Sequence, residues 1–426
     1  MSGFFVACKN FRIFFRTKLG LNTSIMNYIL FDTTIRNSLL PFTHTRPIAD
    51  IRCGIMTLRE RWEHFFKQTS STLTTAFLQP VFNLNIADEN TFINGSLFAS
   101  EGLYNEISNL ELNEKLVKDN ILLAFKTTEK NFSFEDLEDK THAYRSKEFN
   151  DEINLIKNVW DIFSLNENAL REDFYLLTKG KKSQPLPDNI IVTGKENIFL
   201  EEGAVINAGC IINATTGPVY LAKNAEILEG CIIRGALALG EYAVIKMGAK
   251  IYGATTIGAG CKVGGEISNV VFFANSNKGH DGYLGNAVIG EWCNLGADTN
   301  CSNLKNNYDY IKIWDEHNNK SVQTGLQFCG LMMGDHSKCG INTMFNTGTV
   351  IGVSANIFGS GFPEKFIPSF CWGGSDGLTT YDLKRAIETA NRMMQRRGKS
   401  LSEDEKDLFK YIFNQTQSQR DTFEHS

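Results

Sequence analysis

Bulky aliphatic residues recur every six positions through the second half of the chain. Leu221, Ile227, Ile233, Leu239, Ile245, Ile251, Ile257 and Val263 follow one another without a slip. The series runs earlier through Leu200, Ile206 and Ile212, resumes at Ile289 and Leu295, and continues from Met333 through Cys339, Phe345, Ile351 and Ile357. Four positions after the aliphatic the residue is small, as at Ala225, Cys231, Ala243, Ala249, Thr255, Cys261, Cys293 and Thr299; Leu237 and Ile267 break this second track. Directly after the aliphatic stands a frequent glycine, as at Gly240, Gly258, Gly264, Gly290, Gly296 and Gly334.

A helix repeats at 3.6 residues and a half-buried strand at two, so neither produces this pattern. Short strands wound into a triangular prism do. The aliphatic fills the interior, the small residue fits a crowded corner, and glycine is expected to supply the turn conformation that side chains disfavour. Backbone hydrogen bonds then run between stacked coils. The predicted element is a left-handed parallel β-helix, a solenoid whose coils bury their apolar faces only on one another. Cys210, Cys231, Cys261 and Cys293 fall on the small track and Cys339 on the aliphatic one, which makes them packing residues.

Before the repeat the pattern changes. NYILF and VFNLN read as buried strands and LRERWEHFF as a helix, predicting a separate α/β domain over 26–185. The solenoid is expected over 186–365 and a helical tail over 366–426. In the tail, a helical run through Arg392, Arg396 and Arg397 stops at Gly398, and Ser402 to Glu405 reads as a capping box. Residues 1–25 carry Lys9, Arg12, Arg16 and Lys18 and no acid. They read as an upstream extension of a start at Met26, with a basic targeting arm as the rival.

Composition narrows the classes. A net charge of −5 over 426 residues gives no basic field for nucleic acid. The ten cysteines contain no CxxC pair, so no zinc knuckle is written here. Reduced thiols and a cytoplasmic location are expected. No stretch has the length and apolarity of a membrane span.

The six-residue series breaks between Val263 and Ile289 and between Leu295 and Met333. Loops inserted in a solenoid commonly build its site. The first break holds His280 between glycines, in K-G-H-D-G-Y. Transferring an acetyl group from a thioester to an amine requires that the attacking ammonium lose its proton. An imidazole, which titrates near neutral pH, suits that step. Amide donors would stabilise the oxyanion.

H-D-G-Y-L-G-N-A-V-I-G-E-W-C-N-L-G-A-D-T-N-C-S-N, residues 280–303, resembles the acetyltransferase signature of the bifunctional uridyltransferase/glucosamine-1-phosphate acetyltransferase family (GlmU), H-x-x-Y-L-G-D-A-x-I-G-x-x-x-N-I-G-A-G-T-x-x-x-N. The resemblance implies His280 as general base, Tyr283 and Asn294 against the amino sugar phosphate, and Asn303 at the acceptor and coenzyme A end. Lys246, in K-M-G-A, falls where the family has a phosphate-binding arginine; the alternative is a solvated outer face. Lys278 is a further candidate for the same phosphate or the coenzyme's, and Arg392, Arg396 and Arg397, a charged face by default, could reach a coenzyme phosphate from a neighbouring subunit. The resemblance also implies acetyl-CoA as donor and a homotrimer with sites between neighbouring solenoids. Departures are Ser268 where a lysine is expected, wider spacing between the two motifs, and a longer loop over 301–330 carrying Trp314.

R-N-S-L-L-P-F-T-H-T-R-P-I-A-D-I-R-C-G, from Arg36, is similar to the opening of sugar nucleotidyltransferases, though without a glycine-rich run. Ser96 stands where those enzymes place a magnesium-binding aspartate. If this domain is active, Asp32, Arg36, Arg46 and Arg52 are the candidates to handle a nucleoside triphosphate, UTP or dTTP, with Mg2+. Otherwise they are salt bridges around the first strand. The layout resembles a divergent bacterial group of the bifunctional enzymes. The expected function is N-acetylation of glucosamine-1-phosphate, coupled to uridylyl transfer. The rivals are a nucleotidyltransferase whose solenoid serves only assembly, and a non-catalytic scaffold.

Overall fold

The computed structural model describes residues 26–424; the basic segment before Met26 lies outside them. The N-terminal domain is a six-stranded mixed sheet in the order β2-β1-β3-β5-β4-β6. Its strands are β1 (Asn27–Phe31), β2 (Ser71–Leu73), β3 (Asn90–Asn94), β4 (Glu114–Lys118), β5 (Ile121–Thr127) and β6 (Arg145–Glu148). β1 is buried along nearly its whole length, as a continuous apolar run requires when both faces are covered. Helix α1 (Leu58–Phe66) begins at a Thr57/Glu60 capping box and, with α2 (Glu101–Ser108), covers one face through Trp62, Leu103 and Ile107. Phe31, Phe92, Phe125 and Phe132 pack on the other, beside α3 (Leu137–Thr141). VFNLN, expected as a strand, is irregular chain. Thr72 donates to the Asn83 carbonyl, but no ladder develops, and Asn90–Asn94 takes the place beside β1 instead.

The second domain is a parallel solenoid of the left-handed β-helix acyltransferase fold. Three strand columns form the prism, starting at Ile191–Thr193 (first face), Ile198–Leu200 (second) and Val205–Ile206 (third). Consecutive coils pair in register, for instance Ile212 with Ile233 and Ile227 with Ile245. The aliphatic series and the small track together make one continuous interior cluster.

Two details differ from expectation. Positive φ occurs three residues after the aliphatic, at Asn224, Tyr242, Gly260, Asn275, Trp292, His336 and Ser354. The glycines directly after the aliphatic are absent from this set; their role is close approach. A Cβ on Gly240 would lie 2.6 Å from the Ala259 nitrogen, and one on Gly258 2.7 Å from the Phe273 carbonyl carbon. The first break in the series is also not a loop. Residues Glu266–Phe272 and Tyr283–Ile289 form two long strands that bend round a corner and pair residue for residue. Two residues are lost between Val263 and Ile267 and one between Ile267 and Phe272, so the count of six slips while the coil stays whole.

The second break is a true insertion. Its hairpin, Lys312–Asp315 with Lys320–Gln323, buries Ile311 and Ile313 against Leu39, Phe42 and the outer side of the second face. His44 Nε2 lies 2.8 Å from Glu316 Oε1 across this junction. Trp314 therefore belongs to an interdomain strut, stacked on Phe366. Helices α4 (Asp161–Ser164) and α5 (Asn166–Thr178) pack on the second face too; the Asn166 amide donates to the Ala254 carbonyl and accepts from Thr256 and the Gly54 N–H.

The tail forms α6 (Leu383–Gln395), α7 (Glu403–Gln415) and α8 (Gln417–Glu424). Ala386, Ala390, Met394, Leu408, Phe409 and Ile412 close around Trp292, Val353 and Phe370 on the corner between the second and third faces. No helix among the described residues is long and apolar enough to cross a membrane.

Candidate functional site

The outer side of the third face and helix α6 bound a groove of about 1010 Å³. Its floor is built by residues that point outward at the same position of successive coils: Lys262, Asn277, Asn294 and Lys338. At about 4.8 Å per coil, the row runs parallel to the solenoid axis for roughly 14 Å. The wall is one side of α6, with Thr389, Arg392, Met393 and Arg396 at helical spacing, followed by Arg397. No aspartate or glutamate among the described residues lines this groove. Arg397 is anchored: it donates to the Gly260 carbonyl and to Asn275 Oδ1 and lies over Trp292. Arg392 and Arg396 are exposed, Arg392 with only Glu388 at 3.6 Å. Lys338 donates to the His336 carbonyl at 2.7 Å, and burial pulls its pKa down to about 8. Asn277 Oδ1 is buried with no partner.

His280 stands at the mouth of this groove, exposed, at the corner between the third and first faces. A smaller hollow of about 520 Å³ lies on its other side, and both His280 and Lys246 line both spaces. Between these two residues the intervening coil turns through Gly264 and Gly265, which leave the corner free of side chains. Gly282, just past His280, has φ +107°, and a Cβ there would collide with the Thr299 carbonyl.

The structure thus brings Lys246, His280 and Asn294 to one groove. Tyr283 and Asn303 lie round the corner on the first face. Asn303 Nδ2 donates to the Tyr283 hydroxyl at 2.9 Å and to Asn286 Oδ1 at 2.8 Å, and burial raises the Tyr283 pKa.

Lys278 is a correction. It points into the prism and is 0% exposed, because it occupies the interior position paired with Val263. Its Nζ donates to the carbonyls of His280 and Asp281, each at 2.9 Å. A side chain so placed cannot reach a coenzyme in the groove.

The nucleotide candidates are each engaged by partners within the protein. Asp32 is buried and accepts from Thr74 Oγ1 at 2.6 Å and the Ile48 N–H at 2.8 Å, with Arg36 at 3.4 Å. Burial pushes its carboxyl pKa up against the pull of Arg36. Arg36 donates to the Thr43 carbonyl. Arg46 crosses to the solenoid, pairs with Asp335 and Glu291, and covers the Phe273 ring. Arg52 is held by Glu60 and the Ile55 carbonyl. Ser96 is fully buried, its hydroxyl on Asn94. These groups serve the domain and its junction. Arg46 and Arg52 also line a hollow with Asp50 and Arg59, and no cluster of three or more His, Cys, Asp or Glu suited to a metal occurs among the described residues.

Lys262 and Lys338 had no place in the site read from sequence, though each follows a small-track residue and so points outward. Arg392, Arg396 and Arg397 were expected to reach a coenzyme only from a neighbouring subunit; here they line the groove of their own chain, because α6 docks beside the third face.

A nucleotidyltransferase-like domain braced on a left-handed β-helix of the acyltransferase fold is the class of molecule defined here. Residues 28–182 match the family described as sugar nucleotidyl transferase. The "Bifunctional protein GlmU" of Methanococcus maripaludis is 29% identical over 219 residues, covering 49% of this chain and 44% of that protein. A "Bifunctional sugar-1-phosphate nucleotidylyltransferase/acetyltransferase" of Sulfurisphaera tokodaii is 28% identical over 203 residues, 47% of this chain and 43% of that protein. The chain therefore spans less than half the length of these curated relatives, the second of which is named as a transferase. Among solved structures, a UDP-N-acetylglucosamine acyltransferase from Campylobacter jejuni matches 53% of this chain and 95% of its own, with 16% identity and a TM-score of 0.25.

Proposed function

We propose that this protein transfers an acetyl group from acetyl-CoA to the amine of a sugar phosphate, with glucosamine-1-phosphate as acceptor. The observation that carries the proposal is an exposed imidazole at the mouth of an acid-free groove lined by cations. The donor has phosphates at one end and a thioester at the other. Lys262, Lys338, Arg392 and Arg396 suit the phosphates, and the groove leads from them to His280.

In this reading the acceptor's phosphate sits against Lys246, and its amine faces His280. The ammonium first loses one proton to solvent; the His280 imidazole takes the second from the nitrogen as it attacks the thioester carbonyl. The Asn294 amide donates to the oxygen that gains charge. The imidazolium then returns the proton to the departing thiolate. Tyr283 and Asn303 hold the sugar from the first face. That face exposes Ile191, Ile211, Ile232 and Tyr252, which suits association with further copies, and we expect a trimer. Substrates of this kind place the enzyme in the cytoplasm.

Mass spectrometry of reactions containing acetyl-CoA and a panel of amino and neutral sugar phosphates tests this. An N-acetylated amino sugar phosphate is expected, and His280→Ala should slow its formation by about 10²–10⁴-fold. Wild-type turnover by His280→Ala would sink the assignment. The match of residues 28–182 to sugar nucleotidyl transferases favours a second reading, nucleotidyl transfer to the acetylated product. Adding UTP or dTTP and magnesium tests it, and His280→Ala should leave that activity intact.

A further inference from the structure

We infer that Lys278 is a positioning residue that aims His280 from inside the solenoid. The inference rests on the reading of His280 as the base.

The interior column of the third face runs Ile227, Ile245, Val263, Lys278, Leu295. An ammonium group in an aliphatic column is costly unless its donors are met. Here two of the three are met by the carbonyls of His280 and Asp281, both at 2.9 Å. Elsewhere in the stack, weaker donors serve such carbonyls: Cys210 Sγ lies 3.2 Å from the Leu228 oxygen and Cys231 Sγ 3.1 Å from the Lys246 oxygen. A charged donor at the His280 corner is a stronger tether than a thiol.

The corner needs one. Gly279 and Gly282 flank His280 and Asp281, so this short segment has little conformational resistance of its own. The His280 imidazole is exposed, and no hydrogen bond to it is seen among the described residues, so its direction follows from its backbone. Lys278 fixes that backbone from below through the residue's own carbonyl. Without it, two adjacent inward carbonyls lose their charged donor, and the corner is free to turn. The lysine therefore lowers interior stability and sharpens the geometry of the reacting group.

Lys278→Met in the full chain, assayed beside His280→Ala, separates this from mere filling of the core. The expected result is an unchanged or higher thermal midpoint. kcat should fall about 10- to 100-fold, the scale of a misplaced reacting group, with the KM for acetyl-CoA unchanged. Amide hydrogen exchange over residues 279–283 should quicken. If Lys278→Met keeps wild-type kcat while His280→Ala is inactive, the positioning role is wrong. If both variants turn over normally, the assignment of the site itself falls. Should the methionine variant fail to fold, Lys278→Leu carries the same expectation; failure of both would make Lys278 a stability residue and overturn the inference.

Discussion

At the scale of single residues, the solenoid separates two demands that glycine can meet. The left-handed corner accepts Asn224, Tyr242, Trp292, His336 and Ser354 as well as Gly260. The position after the aliphatic tolerates nothing beyond hydrogen at Gly240 and Gly258, because the next coil lies against it. Gly258→Ala should thus lower stability by about 1–3 kcal/mol, as overpacking does, measurable by urea unfolding. The buried cysteines are inert for the reason expected: burial lifts Cys231 to about 11 and Cys261 to about 12. Lys278 moves the other way. Burial pulls it down to about 8, against the opposing pull of Asp281, Cys339 and Asp298. A base held below its unfolded value disfavours the charged folded form at pH 7. Above pH 8 the folded lysine sheds its proton while the unfolded one keeps it up to about pH 10.5, so folding gains over that window. Lys278→Met should accordingly be at least as stable as wild type at pH 7, with any gain reduced by the donor that the His280 and Asp281 carbonyls lose. That advantage should shrink as the pH climbs from 8 towards 10, as denaturant titrations at several pH values can show.

At the scale of elements, the groove depends on α6 as much as on the coils. Arg392→Glu with Arg396→Glu should raise the KM for acetyl-CoA roughly 10-fold or more, equivalent to ~1.4 kcal/mol. kcat should stay close to wild type, since neither residue approaches His280 in the proposed pose; steady-state kinetics with varied acetyl-CoA decides. This wall was legible only in part. The helix was, from its stop at Gly398, and so was a role for its arginines at a coenzyme phosphate, but expected across a subunit boundary; the docking of the helix on Trp292 and Phe370 of its own chain is a contact between distant parts of the chain that no local pattern encodes. The prism was legible because every coil repeats the same steric requirement. Lys278 was misplaced for a related reason. Counting by six from Val263 puts 269, 275 and 281 inside; the steps to Ile267 and then to Phe272 are four and five residues, so three positions are lost and Lys278 takes the interior place instead of Asp281. For Asp32, Arg36 and Arg46 the sequence left nucleotide handling and salt bridges both open, because a charged residue looks the same in sequence whether its partner is a ligand or a buried carboxylate.

At the scale of the molecule, the two domains share one apolar seam. Leu39, Phe42, Ile48 and Phe163 on one side meet Val288, Met332 and Val350 on the other, and Arg46 bridges to Asp335 within it. Arg46→Ala should cost about 3–5 kcal/mol by leaving the buried Asp335 unpaired, visible as a lower thermal midpoint, while acetyl transfer per folded molecule stays unchanged. With the second face occupied by this seam and the third roofed by α6, the first face is left for self-association. Light scattering after size exclusion should give three times the chain mass, and Ile211→Glu with Ile232→Glu should reduce it to one.

The order of the chain adds a constraint in time. Coils can stack as they leave the ribosome, each templating the next, and His280 takes its corner early. Helix α6, the roof of the groove, is encoded only after the last coil. A nascent chain halted before Asp382 would be a prism with an open groove, so the proposed donor site is complete only once that helix has been made.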